Sequence, residues 1–461
     1  MGVLIMKRAL ITLSITFALS ACGGSGDYDG EFGGGGFAEC SARDQNRQLI
    51  SELRTNYLWN DELPSSINPA DYSDVYQLLA NVVPPRDTFS FILTEQEYED
   101  RYINATFFGL GFGSMDDVAN GVMRIRYVYQ NSPAGRAGLT RGSEILSVNG
   151  VSISEWYQRI SQGTATRADI FGPNEEGVEV ALEWRRPDGT LDDDRLLKEE
   201  VETNTVMAVE RLEQNGREIG YFVFDSFINR AEQDVNDAFD QFIGVDELII
   251  DLRYNGGGLI RVANQIASQT AWHRVENETF ITYQYNDNYS DQDIMFDLGA
   301  GIERLNLDRV VVLTTNASCS SSELVINSLA PFVEVVTVGQ PTCGKPLGQQ
   351  PTQICDKIVF AINFQTVNAE GFGDYFDGIQ PTCQANDTVR TDWADPADPM
   401  LGEALHVLEN GSCSATAVAL KEDQAIATEG AMSLPGLESV VREQESRPQR
   451  HPLLDKWTTQ H

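Results

Sequence analysis

The sequence contains few histidines and few basic residues, and both shortages exclude functions. Only four of its 461 residues are histidine (His273, His406, His451 and His461), and none lies in a recognisable catalytic motif, so a serine–histidine triad is hard to build. No CxxC or mixed His/Cys spacing predicts a metal site. The 33 lysines and arginines face 69 acidic residues, which gives a formal net charge of −36. A chain this acidic should repel nucleic acid, so we expect no nucleic-acid partner.

The apolar segment near the amino terminus, residues 9–18, is too short to span a membrane, which takes about 20 residues. It follows Lys7-Arg8 and precedes Leu19-Ser20-Ala21-Cys22, which is the layout of a secretory signal peptide. The last four residues resemble a bacterial lipobox. Residues 1–21 are therefore predicted to be a lipoprotein signal peptide, with Cys22 as the lipidated residue. The glycine-rich residues 22–41 are predicted to be a disordered tether.

This amino terminus predicts a location in the cell envelope. No aspartate stands at position 23. In Gram-negative lipoproteins that usually implies the outer membrane, so by resemblance we expect a lipid anchor there, with the protein facing the periplasm. The alternative is a soluble exported protein whose signal peptide carries an incidental cysteine.

Hydrophobic periodicity divides the remaining chain into four parts. Residues 42–105 show helical spacing of apolar residues interrupted by prolines, which predicts a small helical amino-terminal domain. Residues 106–203 carry short alternating strands with glycine turns. Residues 204–414 alternate strands and helices, which predicts an α/β core with parallel pairing. Residues 415–461 form a mixed, peripheral tail. The predicted fold class is therefore a multidomain α/β (α+β) protein.

The second part resembles a PDZ domain. The resemblance rests on Gly109-Leu110-Gly111-Phe112, on the later Ser132-Pro133-Ala134, and on a strand that ends in Asn149-Gly150. In PDZ domains the backbone N–H groups of such a glycine loop bind a C-terminal carboxylate, and the adjoining strand pairs with the peptide. Peptide binding is therefore predicted at residues 109–112. Whether the domain binds a ligand or packs as a regulatory lid stays open.

A serine cluster, Ser318-Cys319-Ser320-Ser321-Ser322-Glu323, stands where a predicted strand turns into a predicted helix. Such a turn exposes a hydroxyl beside a helix N-terminus and suits a nucleophile, for which we choose Ser320. Lys345 follows 25 positions later, after an apolar strand. A serine can be activated by a lysine that burial keeps neutral, and Gln349 would orient the amine. The alternative is that the serines only cap the helix, with Glu323 completing a capping box.

A glycine-rich loop provides candidates for the oxyanion hole. Asp251-Leu252-Arg253-Tyr254-Asn255-Gly256-Gly257-Gly258 follows a predicted strand and precedes a predicted helix. A phosphate-binding loop does not fit, because no Gly-Lys-Ser/Thr follows and the GxGxxG spacing is missing. Glycines let the backbone approach a substrate carbonyl, and N–H groups can then face the developing negative charge. We assign this role to the N–H groups of Gly257 and Ser321, with Gly256 as a further candidate. A plain tight turn is the alternative.

Together these motifs resemble the carboxyl-terminal processing proteases of peptidase family S41. In that family the nucleophile lies three residues before the glutamate and 25 before the lysine, and both spacings hold for Ser320. Gln349 matches the family's third polar residue. A PDZ domain inserted before a crotonase/ClpP-like α/β core matches the family's domain order. The departures are Cys319 and Ser321, where small residues such as alanine are usual, and Pro346 after the lysine.

The resemblance extends to the amino-terminal part and implies a function. Tyr57-Leu58-Trp59 and Asp87-Thr88-Phe89-Ser90-Phe91-Ile92 resemble the corresponding region of the family's lipoprotein-type members. The implied activity is that of a serine endopeptidase without a cofactor, which cleaves exported proteins near unfolded, apolar C-termini that the PDZ domain delivers. Two alternatives stay open. One is a non-catalytic scaffold that binds tails, and the other is a tricorn-like serine–histidine peptidase that would use His273. The sequence does not determine the oligomeric state.

Six cysteines remain after Cys22, and they allow 15 pairings between which sequence alone does not choose. They are Cys40, Cys319, Cys343, Cys355, Cys383 and Cys413. Their number fits an exported protein. Cys319 and Cys343 flank the candidate nucleophile and base, so a disulfide between them would connect the two catalytic loops. Buried unpaired thiols are the alternative.

Overall fold

The structure, a computed structural model, describes residues 41–420, all within one compact unit. Residues 1–40 and 421–461 are outside the described part. The predicted signal peptide, the lipidation of Cys22 and nearly all of the predicted tether therefore fall outside it. Within residues 41–420, no helix combines the length and apolar character that a membrane crossing requires.

The amino-terminal part is mainly helical, as predicted, but it also contributes a strand to the core. Its elements are α1 (Ala42–Asn56), α2 (Val75–Val82), β1 (Phe91–Thr94) and α3 (Glu95–Tyr98), with 3₁₀ segments at Asn60–Glu62 and Pro69–Asp71 and a π segment at Glu99–Asn104. Ser41 caps α1 by accepting a hydrogen bond from the Asp44 N–H. β1 pairs antiparallel with Lys357–Phe360, which belongs to the α/β part. This pairing gives the amino-terminal part and the α/β part a shared core.

The PDZ-like part is a sheet covered by short helices. Its elements are β2 (Thr106–Gly109), β3 (Phe112–Asp117), β4 (Val122–Val128), α4 (Pro133–Arg136), β5 (Glu144–Val148), β6 (Val151–Ser152), α5 (Ile153–Ser161), α6 (Ala168–Phe171), β7 (Glu179–Arg185), β8 (Leu191–Leu197) and β9 (Glu199–Glu202). The sheet order is β3-β4-β5-β7-β8, with β6 beside β5, while β2 pairs with β9. Val180, Leu182 and Trp184 alternate inward along β7, as a half-buried strand requires.

The α/β part has a six-stranded sheet with helical residues packed on both faces. Its elements are β10 (Val206–Gln214), β11 (Arg217–Phe224), α7 (Ala231–Asp240), β12 (Glu247–Asp251), α8 (Ile260–Val275), β13 (Thr279–Gln284), β14 (Gln292–Met295), β15 (Arg309–Thr314), α9 (Ser321–Leu329), β16 (Glu334–Gly339), β17 (Leu347–Gln349), β18 (Thr352–Ile354), β19 (Lys357–Phe360), β20 (Ile362–Val367), β21 (Cys383–Gln384) and α10 (Pro399–Asn410). The sheet order is β10-β11-β12-β15-β16-β21, parallel except for β10. The predicted parallel α/β core is confirmed.

Three neighbouring strands of this sheet position the candidate site. β12, β15 and β16 are adjacent and parallel, so their carboxyl ends meet at one edge of the sheet. The glycine loop (residues 252–258) follows β12, the nucleophile turn (residues 315–320) follows β15, and the base loop (residues 340–346) follows β16. Segments that are distant in sequence therefore lie side by side because of the parallel pairing.

Candidate active site

The nucleophile turn separates the four serines of the cluster into two kinds. Ser318, Ser321 and Ser322 are fully buried, whereas Ser320 is partly exposed. The three buried hydroxyls donate to carbonyl oxygens of the glycine loop: Ser318 to Leu252 at 2.7 Å, Ser321 to Gly258 at 2.7 Å and Ser322 to Asn255 at 2.9 Å. These serines therefore hold the two loops together, and Ser320 is the member of the cluster that a substrate can reach.

Ser320 has a backbone conformation that non-glycine residues rarely adopt. Its φ is 55° and its ψ is −113°, at the junction of β15 and α9. Such a conformation costs on the order of 1–3 kcal/mol and persists only when surrounding contacts enforce it. The bonds from the neighbouring serines, from Glu323 and from a disulfide provide that enforcement. A strained strand-to-helix turn that presents a hydroxyl is the geometry of a nucleophile.

Glu323 connects the nucleophile turn to the base loop. Its carboxylate is fully buried. One oxygen accepts from the backbone N–H groups of Ser320 and Lys345, each at 2.9 Å, so both residues bond to the same atom. The other oxygen accepts from the Gly344 N–H at 2.9 Å and from the Thr342 hydroxyl at 2.5 Å. Burial raises the pKa of Glu323, although these hydrogen bonds favour the ionised carboxylate. The capping role considered for Glu323 is present, but it is only part of what this residue does.

A disulfide between Cys319 and Cys343 makes a second connection between the same two loops. The two Cα atoms are 5.1 Å apart, and the Cys343 N–H also donates to the Ser318 carbonyl at 3.0 Å. Of the two possibilities that the sequence left open, a disulfide or unpaired thiols, the structure has the disulfide. A second disulfide, Cys383–Cys413, connects β21 to the segment after α10. In residues 41–420, each group of side chains spaced like metal ligands includes one of these disulfides, whose sulfurs are not thiolate ligands.

Lys345 is buried, and its amine is bonded to a neutral side chain. Its side chain is 3% exposed, and Nζ donates to Gln349 Oε1 at 2.6 Å. Burial lowers the pKa of Lys345 to about 7, against the opposing attraction of the Asp87 and Glu323 carboxylates. A large share of the amine is therefore unprotonated near neutral pH and able to accept a proton.

Gln349 is held so that its oxygen faces the lysine. Its Nε2 donates to the carbonyl oxygens of Phe89 and Phe360, each at 2.8 Å. Because both amide hydrogens are bonded there, Oε1 is directed at Lys345 Nζ. A neutral amide oxygen orients the lysine amine, but it stabilises the ammonium form of the lysine less than a carboxylate would.

The glycine loop reaches the nucleophile, but the Gly257 N–H is already bonded. At φ +97°, a Cβ on Gly257 would lie 2.9 Å from Ser320 Cβ and 3.0 Å from the Ser321 nitrogen, so only glycine fits. Its N–H donates to Asn255 Oδ1 at 2.9 Å. Ser321 opens α9, so its N–H has no acceptor within the helix. Gly256 is buried in the same loop. The structure thus brings the predicted oxyanion residues together, with one donor occupied.

The predicted peptide loop of the PDZ-like part offers only backbone groups to a ligand. The side chains of Leu110 and Phe112 are fully buried in the core of that part. Gly111, at φ +82°, lies so close to Ser132 that a Cβ would be 2.0 Å from Ser132 Cβ. β3, which follows Gly109-Leu110-Gly111, is an edge strand of its sheet. An edge strand with an unpaired side can accept a peptide as an additional strand.

A buried group of charges joins the PDZ-like part to the α/β part, and no sequence pattern indicated it. Arg141, on the loop before β5, donates to Asp387 at 2.8 Å with its side chain 1% exposed. Arg253, in the glycine loop, pairs with Asp251, Asp387 and Asp398 at 2.8–3.1 Å. Buried charges require such pairing. The position of the glycine loop is therefore connected with that of the PDZ-like part.

The described histidines lie away from the site. His273, on α8, contacts Asp308 at 3.0 Å. Asp308 precedes β15, whereas Ser320 follows it, so the histidine is at the opposite end of that strand. His406 is on α10, where it contacts Asn410. Neither histidine lies among the residues of the nucleophile turn or the base loop.

Comparison with known proteins agrees with the resemblance found in the sequence. Residues 218–385 match the profile of peptidase family S41, residues 44–91 that of the peptidase S41 N-terminal domain, and residues 124–163 that of a PDZ domain. A carboxyl-terminal-processing protease of Synechocystis sp. is 25% identical over 374 residues, which cover 79% of this chain and 82% of that protein. The carboxy-terminal processing protease CtpB of Bacillus subtilis is 24% identical over 311 residues, which cover 66% of this chain and 60% of that protein.

A solved structure shares the fold. A Bacteroides fragilis protein assigned to the S41 proteases aligns with a TM-score of 0.64 and 24% identity, covering 79% of this chain and 97% of that chain. The predicted fold class, a mixed α/β multidomain protein with a PDZ domain and an S41 protease core, is confirmed.

Proposed function

Because the chain belongs to peptidase family S41, we propose that it is a serine endopeptidase in which Ser320 is the nucleophile and Lys345 the general base. One observation carries this proposal. Lys345 is a buried lysine with a neutral hydrogen-bond partner, and Glu323 binds its backbone with the same oxygen that binds the backbone of Ser320. This arrangement suits proton transfer from a serine hydroxyl to an amine near neutral pH.

The proposed reaction has two halves. Ser320 Oγ attacks the scissile carbonyl and gives its proton to Lys345 Nζ, and the lysine then passes that proton to the departing amine. Water next attacks the acyl-enzyme and gives a proton to Lys345, which returns it to Ser320 Oγ as the bond from Oγ to the acyl carbon breaks and the new carboxylate leaves. The Ser321 N–H would bind the oxyanion in both halves, and the Gly257 N–H would join it once Asn255 released that hydrogen. Gly256 remains the further candidate donor.

The proposed substrates are unfolded proteins or peptides with apolar C-termini. The edge strand β3 and the loop at residues 109–112 would bind the tail, and the buried contacts of Arg141 and Arg253 connect that part to the glycine loop. Chemistry at Ser320 and Lys345 requires no cofactor in this proposal.

The test compares peptide cleavage by the mature chain with cleavage by Ser320→Ala, Lys345→Ala and His273→Ala variants. We expect the first two variants to lose cleavage while keeping binding, and His273→Ala to be active. We also expect wild-type cleavage to rise with pH around 7, because Lys345 must be neutral. Binding without cleavage in the wild type would favour a scaffold. Loss of activity only in His273→Ala would favour a serine–histidine peptidase.

We also propose attachment to the cell envelope through lipidated Cys22, in the outer membrane and facing the periplasm. The support is the lipobox-like Leu19-Ser20-Ala21-Cys22 after a short apolar segment. Labelling cells with radioactive palmitate tests it. The wild type should carry label in the membrane fraction and a Cys22→Ala variant should not. An unlabelled wild type would contradict the proposal.

A further inference from the structure

A tight turn in the amino-terminal part is built around one carboxylate. Asp87 accepts hydrogen bonds from the backbone N–H groups of Phe89 at 3.0 Å and Ser90 at 2.8 Å, and from the Ser90 hydroxyl at 2.5 Å. It also accepts from the hydroxyl of Tyr57 at 2.8 Å, and Tyr57 is fully buried at the end of α1. The turn at residues 87–90 is therefore fixed both within itself and to the core of the amino-terminal part.

This turn places Phe89 against the candidate base. The ring centroid of Phe89 is 5.4 Å from Lys345 Nζ, and its carbonyl oxygen accepts one of the two amide hydrogens of Gln349. The other amide hydrogen goes to the Phe360 carbonyl. Phe360 is paired with Phe91 in the β1–β19 ladder, so docking of β1 brings both acceptors together. A single residue of the amino-terminal part therefore contacts both the lysine and the amide that orients it.

The Phe89 ring has two opposite effects on the charge of Lys345. By excluding water it favours the neutral amine, whereas its π face attracts the ammonium form. The charged groups that act on Lys345 are the carboxylates of Asp87 and Glu323, and both favour the ammonium form. The pKa of Lys345 nevertheless lies at about 7, below its ordinary value of 10.5, with burial as the largest cause. Exclusion of water therefore outweighs the attraction of the two carboxylates at this site.

We propose that Phe89 is a positioning residue for the general base: docked by β1 and the Asp87 turn, it covers Lys345 and fixes Gln349, so that the amino-terminal part completes the active site. This inference rests on the proposed function of Lys345. It assigns the amino-terminal part a direct effect on the pH range of activity, in addition to any role in folding.

The test measures two pH midpoints in three variants of the mature protein. One is the midpoint of kcat/KM for peptide cleavage. The other is the midpoint of the pH dependence with which acetic anhydride modifies Lys345, as detected by mass spectrometry. This second measurement is made on a Ser320→Ala background, because it requires no turnover. The variants are Phe89→Ala, Phe89→Leu and Leu49→Ala. Leu49 is the matched control because it is an apolar side chain of the same amino-terminal part, fully buried on α1.

We expect both midpoints to rise in Phe89→Ala, because water reaches the amine. A midpoint one pH unit higher lowers cleavage at pH 7 about fivefold, with recovery at higher pH. Phe89→Leu keeps an apolar cover and should stay close to the wild type. Leu49→Ala should lower the melting temperature without moving either midpoint. If Phe89→Ala does not fold, Phe89→Val replaces it with the same expected sign.

Two results would overturn the proposal. Unchanged midpoints would mean that Phe89 does not shield the lysine, and lowered midpoints would mean that the attraction of its π face dominates. Failure of the proposed function looks different. In that case the wild type would show no dependence of cleavage on Ser320 or Lys345, whereas acetylation of Lys345 would still report whether Phe89 controls its protonation.

Discussion

Replacing Gln349 by glutamate tests the view that the base is kept neutral by a neutral partner. The change puts a carboxylate where the amide oxygen now lies, 2.6 Å from Lys345 Nζ. An opposite charge at this distance favours the ammonium form, so the pKa of Lys345 should rise. Because the proposed base accepts a proton only when its amine is neutral, the active range should move to higher pH.

The size of the effect follows from the charge. An opposite charge within about 4–6 Å shifts a pKa by roughly 1–3. Starting from about 7, the neutral fraction of Lys345 at pH 7 then falls from about a half to between about a tenth and a thousandth, so kcat/KM falls about 5- to 500-fold. A glutamate at this position also cannot donate the two hydrogen bonds that the Gln349 amide makes to the Phe89 and Phe360 carbonyl oxygens. Their loss should lower the free energy of unfolding by about 1–3 kcal/mol.

The assay is cleavage of a fluorogenic peptide between pH 6 and 10, with the melting temperature measured on the same samples. Gln349→Met is the matched control, since it keeps the length of the side chain, adds no charge and removes the strong acceptor. We expect it to be less active at every pH without an upward shift of the midpoint. The reasoning fails if Gln349→Glu keeps the wild-type midpoint, or if it is as inactive at pH 10 as it is at pH 7.

Two further changes test the connections around the nucleophile. The Cys319→Ser/Cys343→Ser double variant should lose about 3 kcal/mol of stability and part of its activity. The control, Cys383→Ser/Cys413→Ser, should lose similar stability but keep its activity per folded molecule. Equal losses of activity in the two variants would contradict a role of the Cys319–Cys343 disulfide in the site. Gly257→Ala places a Cβ 2.9 Å from Ser320 Cβ and should lower kcat by about 10²–10³ without unfolding the protein. The control is Gly163→Ala, because Gly163 also has a positive φ but open space around it, and this variant should remain active. Full activity in Gly257→Ala would exclude the glycine loop from the oxyanion site.

Several features could be read from the chain because they depend on local pattern. The alternation of strands and helices in residues 204–414 predicted the parallel sheet, and the turn after β15 predicted an exposed serine. The fixed spacings from Ser320 to Glu323 and Lys345 indicated the family. By contrast, the six strands β13, β14, β17, β18, β19 and β20, which pair antiparallel, were not recognised from the sequence. Each is only three to six residues long, and segments of that length carry little periodicity.

The sequence by itself determined the order of the parts, the class of the core and the residue types of the site. Only the tertiary structure showed why the other three serines are inaccessible, since Ser318, Ser321 and Ser322 donate to carbonyl oxygens of the glycine loop. It also decided the chemistry of Lys345. The pKa of a lysine depends on exclusion of water and on nearby charges. Here the charges are those of Glu323 and Asp87, and the Phe89 ring lies against the amine. Asp87 and Phe89 come more than 250 residues earlier in the chain, so no local pattern could reveal their contribution.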